Sequence, residues 1–526
     1  MQPTTLIRFV AVTLTGLIHP LCFPNFDQGW LAWIVLVPLH WALSGLTTRQ
    51  AFRYGWLAGI IAFAGTVTWV ITAMNQFGQV PMVISSALML LLATYLGLFI
   101  GVYAWGYALF QKHYPDSQWL TAPSLWVALE YLRTYAFSGL PWALLGYSQY
   151  QWLSLIQFAD ITGVYGVSFL LVMANVVITQ YLTRIRTDSP QAATISTGEK
   201  TWIPLGGLGL TLGLALAYGT WQIHHQQLLN TTAPMLKVGV VQANIEQGKK
   251  WDEQYRDETM ERYIRLSLEA GRDTDLLIWP EAATPFLFEQ EPDYQEKIRQ
   301  VLRTTNSPLL FGSPTVRFHP AGRPYLFNSA FLLDHEGQIT HRYDKRHLVP
   351  FGEYIPLKSI LFFLDKLVVG IGDFQEGQGP LTLPLMVPRL DSVTKLGVPI
   401  CFEVIFPDLV RRMAHEGANA MVTITNDAWF GKSAAPYQHF GMVVFRAVEN
   451  HLAFARAANT GISGFIDPTG AILEATPIFT EQAKTATLPL RHTLTFYAQF
   501  GDVFSWICVI LTGILIIGTR SQARQT

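Results

Sequence analysis

The alternation of apolar and polar positions divides this chain between two solvents. Long apolar runs recur near residues 5–22, 29–46, 55–74, 82–110, 119–136, 163–183 and 203–221, and one more follows at 502–519. A bilayer-crossing helix needs about 20 mostly apolar residues, because lipid offers exposed backbone no hydrogen-bonding partner. The pattern therefore predicts eight transmembrane helices in three stretches: seven in residues 1–222, a polar insert at 223–500, and one helix with a short tail in 501–526.

Inside the insert the period shortens. Runs at 236–242, 275–279, 308–312, 328–333, 396–401 and 420–425 read as strands. Helical stretches lie between them. One begins near Trp251 and places Met260, Tyr263, Ile264 and Leu268 on one face, and others begin near Pro407 and His439. Strands alternating with helices predict an α/β layered domain. The Asp467-Pro468-Thr469-Gly470 sequence between two apolar runs predicts a hairpin turn.

Composition supports the same division. The chain is 50% hydrophobic and 14% charged, and only 14 Asp, Glu, Lys and Arg fall in residues 1–230. Soluble domains carry about 25% charged residues. Basic residues also set an orientation, since short cytoplasmic loops carry the excess of Lys and Arg. Arg8, Arg49, Arg53, Lys112, Arg184, Arg186, Lys200, Arg520 and Arg524 all fall on one side, while the loops at 23–28, 75–81 and 137–162 have none. Both termini are expected in the cytoplasm and the insert outside, which in a bacterium means the periplasm. Leu21 before Cys22 argues against a processing site, so the first run is expected to remain as an anchor. Glu130 and Arg133, at i and i+3 in the fifth run, are expected to form a structural ion pair, with a lipid head-group contact as the alternative.

A net charge of −1 without a long basic run gives no footprint for nucleic acid. Cys22, Cys401 and Cys508 have neither metal-ligand spacing nor a disulfide framework, and no phosphate-cradling glycine loop appears. Neither metal nor cofactor is expected.

Three short segments carry the candidate chemistry. Leu277-Ile278-Trp279-Pro280-Glu281 delivers a carboxylate at the tip of an apolar strand, a fitting place for a proton acceptor. The run from Tyr343 to Glu353 contains Lys345, a fixed positive charge suited to a developing oxyanion, and Glu353, which could orient it. Gly397-Val398-Pro399-Ile400-Cys401-Phe402-Glu403 places a thiol at the end of an apolar run, where a neighbouring base and cation would activate it. Singly, each motif is ordinary: an exposed Glu, a solvated pair, a small buried Cys. His347 and His439 suggest a Cys-His dyad, but neither sits in a recognisable cysteine-protease setting.

Taken in order, the three segments resemble the nitrilase superfamily. With the inferred spans, the chain resembles a membrane-embedded branch of it, the apolipoprotein N-acyltransferases, over nearly its whole length. The segment from Lys345 to Glu353 and the Asn426-Asp427-Ala428-Trp429-Phe430-Gly431 run are the most family-specific. The resemblance implies an α-β-β-α sandwich with Glu281 as general base, Lys345 as oxyanion stabiliser and Cys401 as nucleophile. It makes Glu353 and Glu403 supporting carboxylates and places Trp251 and Trp429 at the border of the substrate site. Phe402 stands where the family often has tyrosine; its backbone N–H could still help Lys345 hold the oxyanion. The implied reaction is a two-step ping-pong transfer in a bacterial inner membrane, the last step of lipoprotein maturation. An acyl group passes from a phospholipid such as phosphatidylethanolamine, through a Cys401 thioester, to the α-amine of an apolipoprotein's diacylglyceryl-cysteine.

The stretch 357–374 is apolar but too short to span, and it is expected to be a lid on the outer leaflet hinged at Gly370 and Gly372, or else a core helix. Two other readings compete. A membrane-tethered amidase or nitrile hydrolase would use the same triad with water as acceptor. A transporter with a binding module would need paired interrupted helices and midplane charges that the runs lack.

Overall fold

The computed structural model of the protein describes residues 4–185, 198–272, 274–318, 322, 324–355 and 374–522. The lid expected at 357–374 lies outside the described residues except for Phe374. The chain forms two compact units, one of Met1–Ile71, Met82–Ile223 and Phe500–Thr526, the other of Thr72–Pro81 and His224–Gln499.

Among the described residues, five helices are long and apolar enough to cross a membrane: Thr5–Cys22, Met82–His113, Val164–Thr183, Trp202–Thr232 and Val503–Ser521. The pair Thr48–Thr66 and Trp69–Phe77, bent by 51°, passes the same test only when taken together, as a broken span or a re-entrant loop. The two remaining expected spans are less regular. Gln118–Tyr135 is one 18-residue helix, but Pro123, Glu130 and Arg133 interrupt its apolar surface. Residues 29–46 break into a 3-10 turn at Gly29–Trp33 and a helix at Val37–Leu43. Buried irregular backbone needs internal partners, and Asn175 supplies them. Its Oδ1 accepts from Leu36 N at 2.8 Å, and its Nδ2 donates to Ala32 O and Leu171 O at 2.8 Å each. Asn175→Leu should destabilise the unit by about 1–3 kcal/mol, the cost of stranding a buried backbone group, read as a lower melting temperature in detergent; an unchanged melt would refute this.

Glu130 and Arg133 are both buried, and each is anchored on backbone. Glu130 Oε1 accepts from Leu145 N at 2.7 Å, while Arg133 donates to Trp142 O at 3.1 Å and lies 5.0 Å from the Phe63 ring centroid. These charges tie the Gln118–Tyr135 helix to the irregular segment that follows it.

The second unit is built on two six-stranded sheets. The first contains β1 (Met235–Gln242), β2 (Leu276–Ile278), β3 (Leu309–Phe318), β4 (Pro324–Leu333), β5 (Ile339–Asp344) and β12 (Gln482–Pro489), in the order β12-β1-β2-β3-β4-β5. The second contains β6 (Thr382–Val387), β7 (Ser392–Gly397), β8 (Ala420–Thr425), β9 (Phe454–Ala458), β10 (Gly464–Ile466) and β11 (Ile472–Ala475), in the order β11-β10-β9-β8-β7-β6. Parallel pairs at the centre of each sheet (β1-β2-β3 and β7-β8-β9) give way to antiparallel pairs outside. The sheets face each other through β1 and β9. Helices Arg256–Ala270 and Pro292–Thr305 cover the first sheet, and Pro407–His415 and Ala435–Asn450 pack together beside the second. The result is an α-β-β-α sandwich.

The buried face of Arg256–Ala270 is Met260, Tyr263, Leu266, Ser267 and Ala270, whereas Leu268 is exposed and Ile264 half-buried. The face expected from the sequence is thus rotated. Trp279 explains why: its ring stacks on Tyr263 at 4.8 Å and its Nε1 donates to Ser267 Oγ at 2.8 Å. A polar residue on the buried side was paired, not solvated.

Candidate active site

The candidate residues follow the C-terminal ends of β2, β5 and β7, where the chain turns out of its sheet. After β2 the chain runs through Trp279 and Pro280 to Glu281, and Ala282 adopts a left-handed φ of 48°. This turn lies directly on β3. A Cβ on Gly312 would stand 2.6 Å from both Glu281 Cα and Ala282 N, so only glycine admits the approach. Lys345 follows β5 and is pinned by its own N–H to Asn328 O at 2.8 Å.

Glu281 and Lys345 meet. Lys345 Nζ lies 3.4 Å from Glu281 Oε1 and 3.0 Å from Glu353 Oε1, with the lysine side chain only 1% exposed. Asn328 Nδ2 bridges the same two carboxylates, donating to Glu281 Oε1 at 2.7 Å and to Glu353 Oε1 at 2.8 Å. Asn426 N donates to Glu281 Oε2 at 2.9 Å, and Val349 N to Glu353 Oε2 at 2.8 Å. Every neighbour of Glu281 in this set is a donor, which suits a carboxylate and leaves it a proton acceptor. Burial works against the Lys345 ammonium, but Glu353, Glu281 and Cys401 together raise its pKa above the ordinary lysine value. It stays a cation throughout the physiological range.

Cys401 does not end a strand, as the sequence reading had it. β7 stops at Gly397, and the chain continues through Val398, Pro399 and Ile400 into a 3-10 turn, Cys401–Ile405. Cys401 is half-buried and holds a φ of 52°. A left-handed non-glycine residue is strained, and such strain is kept where surrounding structure over-determines it. The thiol is pushed above its usual range by burial and then by the Glu281 charge, while Lys345 opposes both. At rest the thiol is therefore neutral. All three groups feel one another's charge.

Glu403, fully buried, clamps the two segments together. Its Oε1 accepts from Tyr343 OH, Arg346 N and His347 N at 2.9, 2.7 and 3.1 Å, and its Oε2 from Ile400 N at 2.7 Å. Burial lifts its carboxyl to about 7, against the pull of those donors and of Lys345. A raised carboxylate pKa adds stability that is complete below the unfolded value and disappears as pH climbs through the folded one. Relative to Glu403→Gln, the wild type should lose melting temperature progressively from pH 5 to pH 8. A constant difference across that range would refute the assignment.

Phe402 is half-buried, its ring 5.9 Å from that of His347 and 5.2 Å from that of Phe406. Trp429, in the turn Asp427–Phe430, meets the Phe77 ring edge-on at 5.8 Å. Trp251 is half-buried beside Lys250.

Two family models match the chain: Apolipoprotein N-acyltransferase N-terminal domain over residues 15–177, and Carbon-nitrogen hydrolase over residues 237–495. A protein named apolipoprotein N-acyltransferase from Geobacter metallireducens is 40% identical over 98% of this chain and 96% of its own length. The chain belongs to the apolipoprotein N-acyltransferase family. A relative of the same name from Haemophilus ducreyi is 31% identical over 97% of each chain. Among solved structures, an amidase from Nesterenkonia sp. aligns with 50% of this chain and 92% of its own at 20% identity and a TM-score of 0.35.

This acyltransferase also recruits residues that sequence reasoning passed over. Asn328 was legible only as the start of a strand, and Asn426 only as part of a family-specific run. Lys250 is a second buried lysine, 1% exposed, whose Nζ donates to the Glu281 backbone O at 3.2 Å. Burial depresses it to about 8, although Glu281 and Cys401 pull the other way. Its one signal is adjacency to Trp251. His439, set aside on sequence grounds, has its ring against the Cys401 carbonyl.

Proposed function

We propose that this acyltransferase moves a fatty acyl group from a phospholipid such as phosphatidylethanolamine to the α-amine of diacylglyceryl-cysteine on an apolipoprotein. The observation that carries the reading is a carboxylate, an ammonium and a strained cysteine sharing one electrostatic site in a chain that matches its relatives end to end. Glu281 takes the Cys401 proton as sulfur attacks the ester carbonyl. Lys345 and the Phe402 N–H hold the tetrahedral oxyanion. The C–O bond breaks, the proton passes from Glu281 to the leaving alkoxide, and a lysophospholipid departs from the thioester. In the second half the α-amine attacks the thioester, Glu281 removes its proton, and the amide forms as the thiol is restored. Glu353 and Asn328 keep Lys345 and Glu281 in register, Glu403 fixes the Cys401 segment, and Trp251 and Trp429 border the substrate.

The membrane unit would cross the inner membrane eight times, counting the broken segment at 29–46 and the Gln118–Tyr135 helix. The Lys and Arg distribution supports cytoplasmic termini and a periplasmic second unit.

The test mixes purified protein with phosphatidylethanolamine, with and without a diacylglyceryl-cysteine peptide. Without acceptor, lysophospholipid should stop at one equivalent per protein; with acceptor it should rise in step with N-acylated peptide. Continued release of free fatty acid without acceptor would instead support the hydrolase reading.

A further inference from the structure

Behind the nucleophile lies a buried polar cluster that these transfer steps do not use. It joins Asp427 from the turn after β8, His439 from the Ala435–Asn450 helix and Arg456 from β9, all at most 1% exposed. His439 Nδ1 lies 3.1 Å from Asp427 Oδ1 and 3.0 Å from Arg456 Nη2, and Arg456 Nη2 donates to Asp427 Oδ2 at 2.8 Å. Thr425 Oγ1 donates to Asp427 Oδ1 at 2.8 Å. The other ring nitrogen, Nε2, stands 3.2 Å from the backbone oxygen of Cys401.

We propose that His439 is a positioning residue for the oxyanion site: its Nε2–H anchors the Cys401 carbonyl and thereby aims the Phe402 N–H at the acyl oxygen. The inference rests on the acyl-enzyme reading above.

Three steps lead there. A carbonyl oxygen only accepts, so Nε2 carries the hydrogen; Nδ1, with the Arg456 donor at 3.0 Å and the Asp427 acceptor at 3.1 Å, then takes its hydrogen bond from Arg456. Burial and the Arg456 charge hold His439 below the ordinary histidine range against the pull of Asp427, which keeps the ring neutral. Asp427, drawn well below the carboxylate range chiefly by Arg456 despite its burial, cancels the guanidinium charge, so with a neutral ring the cluster carries no net charge. Finally, a trans peptide is planar, with its C=O and N–H pointing in opposite directions. Fixing the oxygen of the Cys401-Phe402 peptide fixes the direction of the hydrogen at its far end. That peptide begins at a residue held at a φ of 52°, where the backbone alone would relax toward another basin.

A comparison of two reactions of Cys401 tests this. Alkylation by iodoacetamide needs the sulfur but no oxyanion donor; acylation by phosphatidylethanolamine needs both. His439→Leu should slow acyl-enzyme formation about 100-fold, the effect of losing one oxyanion donor, while alkylation changes less than about threefold. His439→Gln, whose side-chain amide can donate to the same oxygen, should recover at least about tenfold of the loss. Unchanged acylation in the Leu variant, an equal fall in both reactions, or failure of Gln to recover any rate would overturn the positioning role. If the wild type formed no thioester at all with phosphatidylethanolamine, the functional reading itself would fall.

Discussion

Cys401→Ala should abolish the acyl-sized mass increase that follows mixing of the protein with phosphatidylethanolamine, lowering lysophospholipid release by at least about 10⁴-fold. Removing the nucleophile of a covalent mechanism costs on that order or more, and binding alone does not restore it. Fold should be preserved. Cys401 is only half-buried, and alanine tolerates the left-handed backbone about as well as cysteine does. Intact-protein mass spectrometry reads the adduct directly, and Cys22 and Cys508 act as internal controls because both are buried in the first unit. An adduct that survives in the variant would place the nucleophile elsewhere.

Lys345→Met should have the second largest effect, and a compound one. Deleting an oxyanion donor costs about 10²–10³ in rate. Here the ammonium also separates two carboxylates that share its charge and the Asn328 amide. Stranding buried charge in this way costs about 3–5 kcal/mol, so the melting temperature should fall together with acyl-enzyme formation. The two losses can be separated with the double variant Lys345→Met/Glu353→Gln. Neutralising Glu353 should return part of the stability and none of the rate. Additive losses in the double variant would refute the shared cluster, since coupled groups do not add.

Glu281 and Cys401 drew attention because each follows an apolar run, where a turn must come; Lys345, preceded by the polar stretch Thr340 to Asp344, did so only through the motif that runs on to Glu353. Their geometry was not legible. Cys401 was read as the last residue of a strand, yet β7 ends at Gly397 and a short turn carries the thiol into a left-handed conformation. No apolar pattern reports the sign of φ on a single residue. Four strands went unread, among them β6 and β12, because their alternation is blurred: Pro384 interrupts the first, and polar Lys484 and Thr485 fill the second. Asn328 and His439 escaped for a further reason. Each acts through partners supplied by distant parts of the chain, Glu281 and Glu353 for one, Asp427, Arg456 and Cys401 for the other. Hydropathy was a better guide to the long helices of the first unit, except at 118–135, where Pro123, Glu130 and Arg133 interrupt the apolar surface, and at 29–46, where one buried amide, Asn175, supports a break.

Residues 72–81 fall between two apolar helices in the chain, but they fold with the second unit, and Phe77 stands against Trp429. Anyone trimming this enzyme to a water-soluble fragment by cutting near 223 and 500 would discard that strip and leave Trp429 without a facing ring. A workable miniature would have to graft the missing decapeptide back, so the protein's topology itself resists separation into an anchor and a portable catalyst.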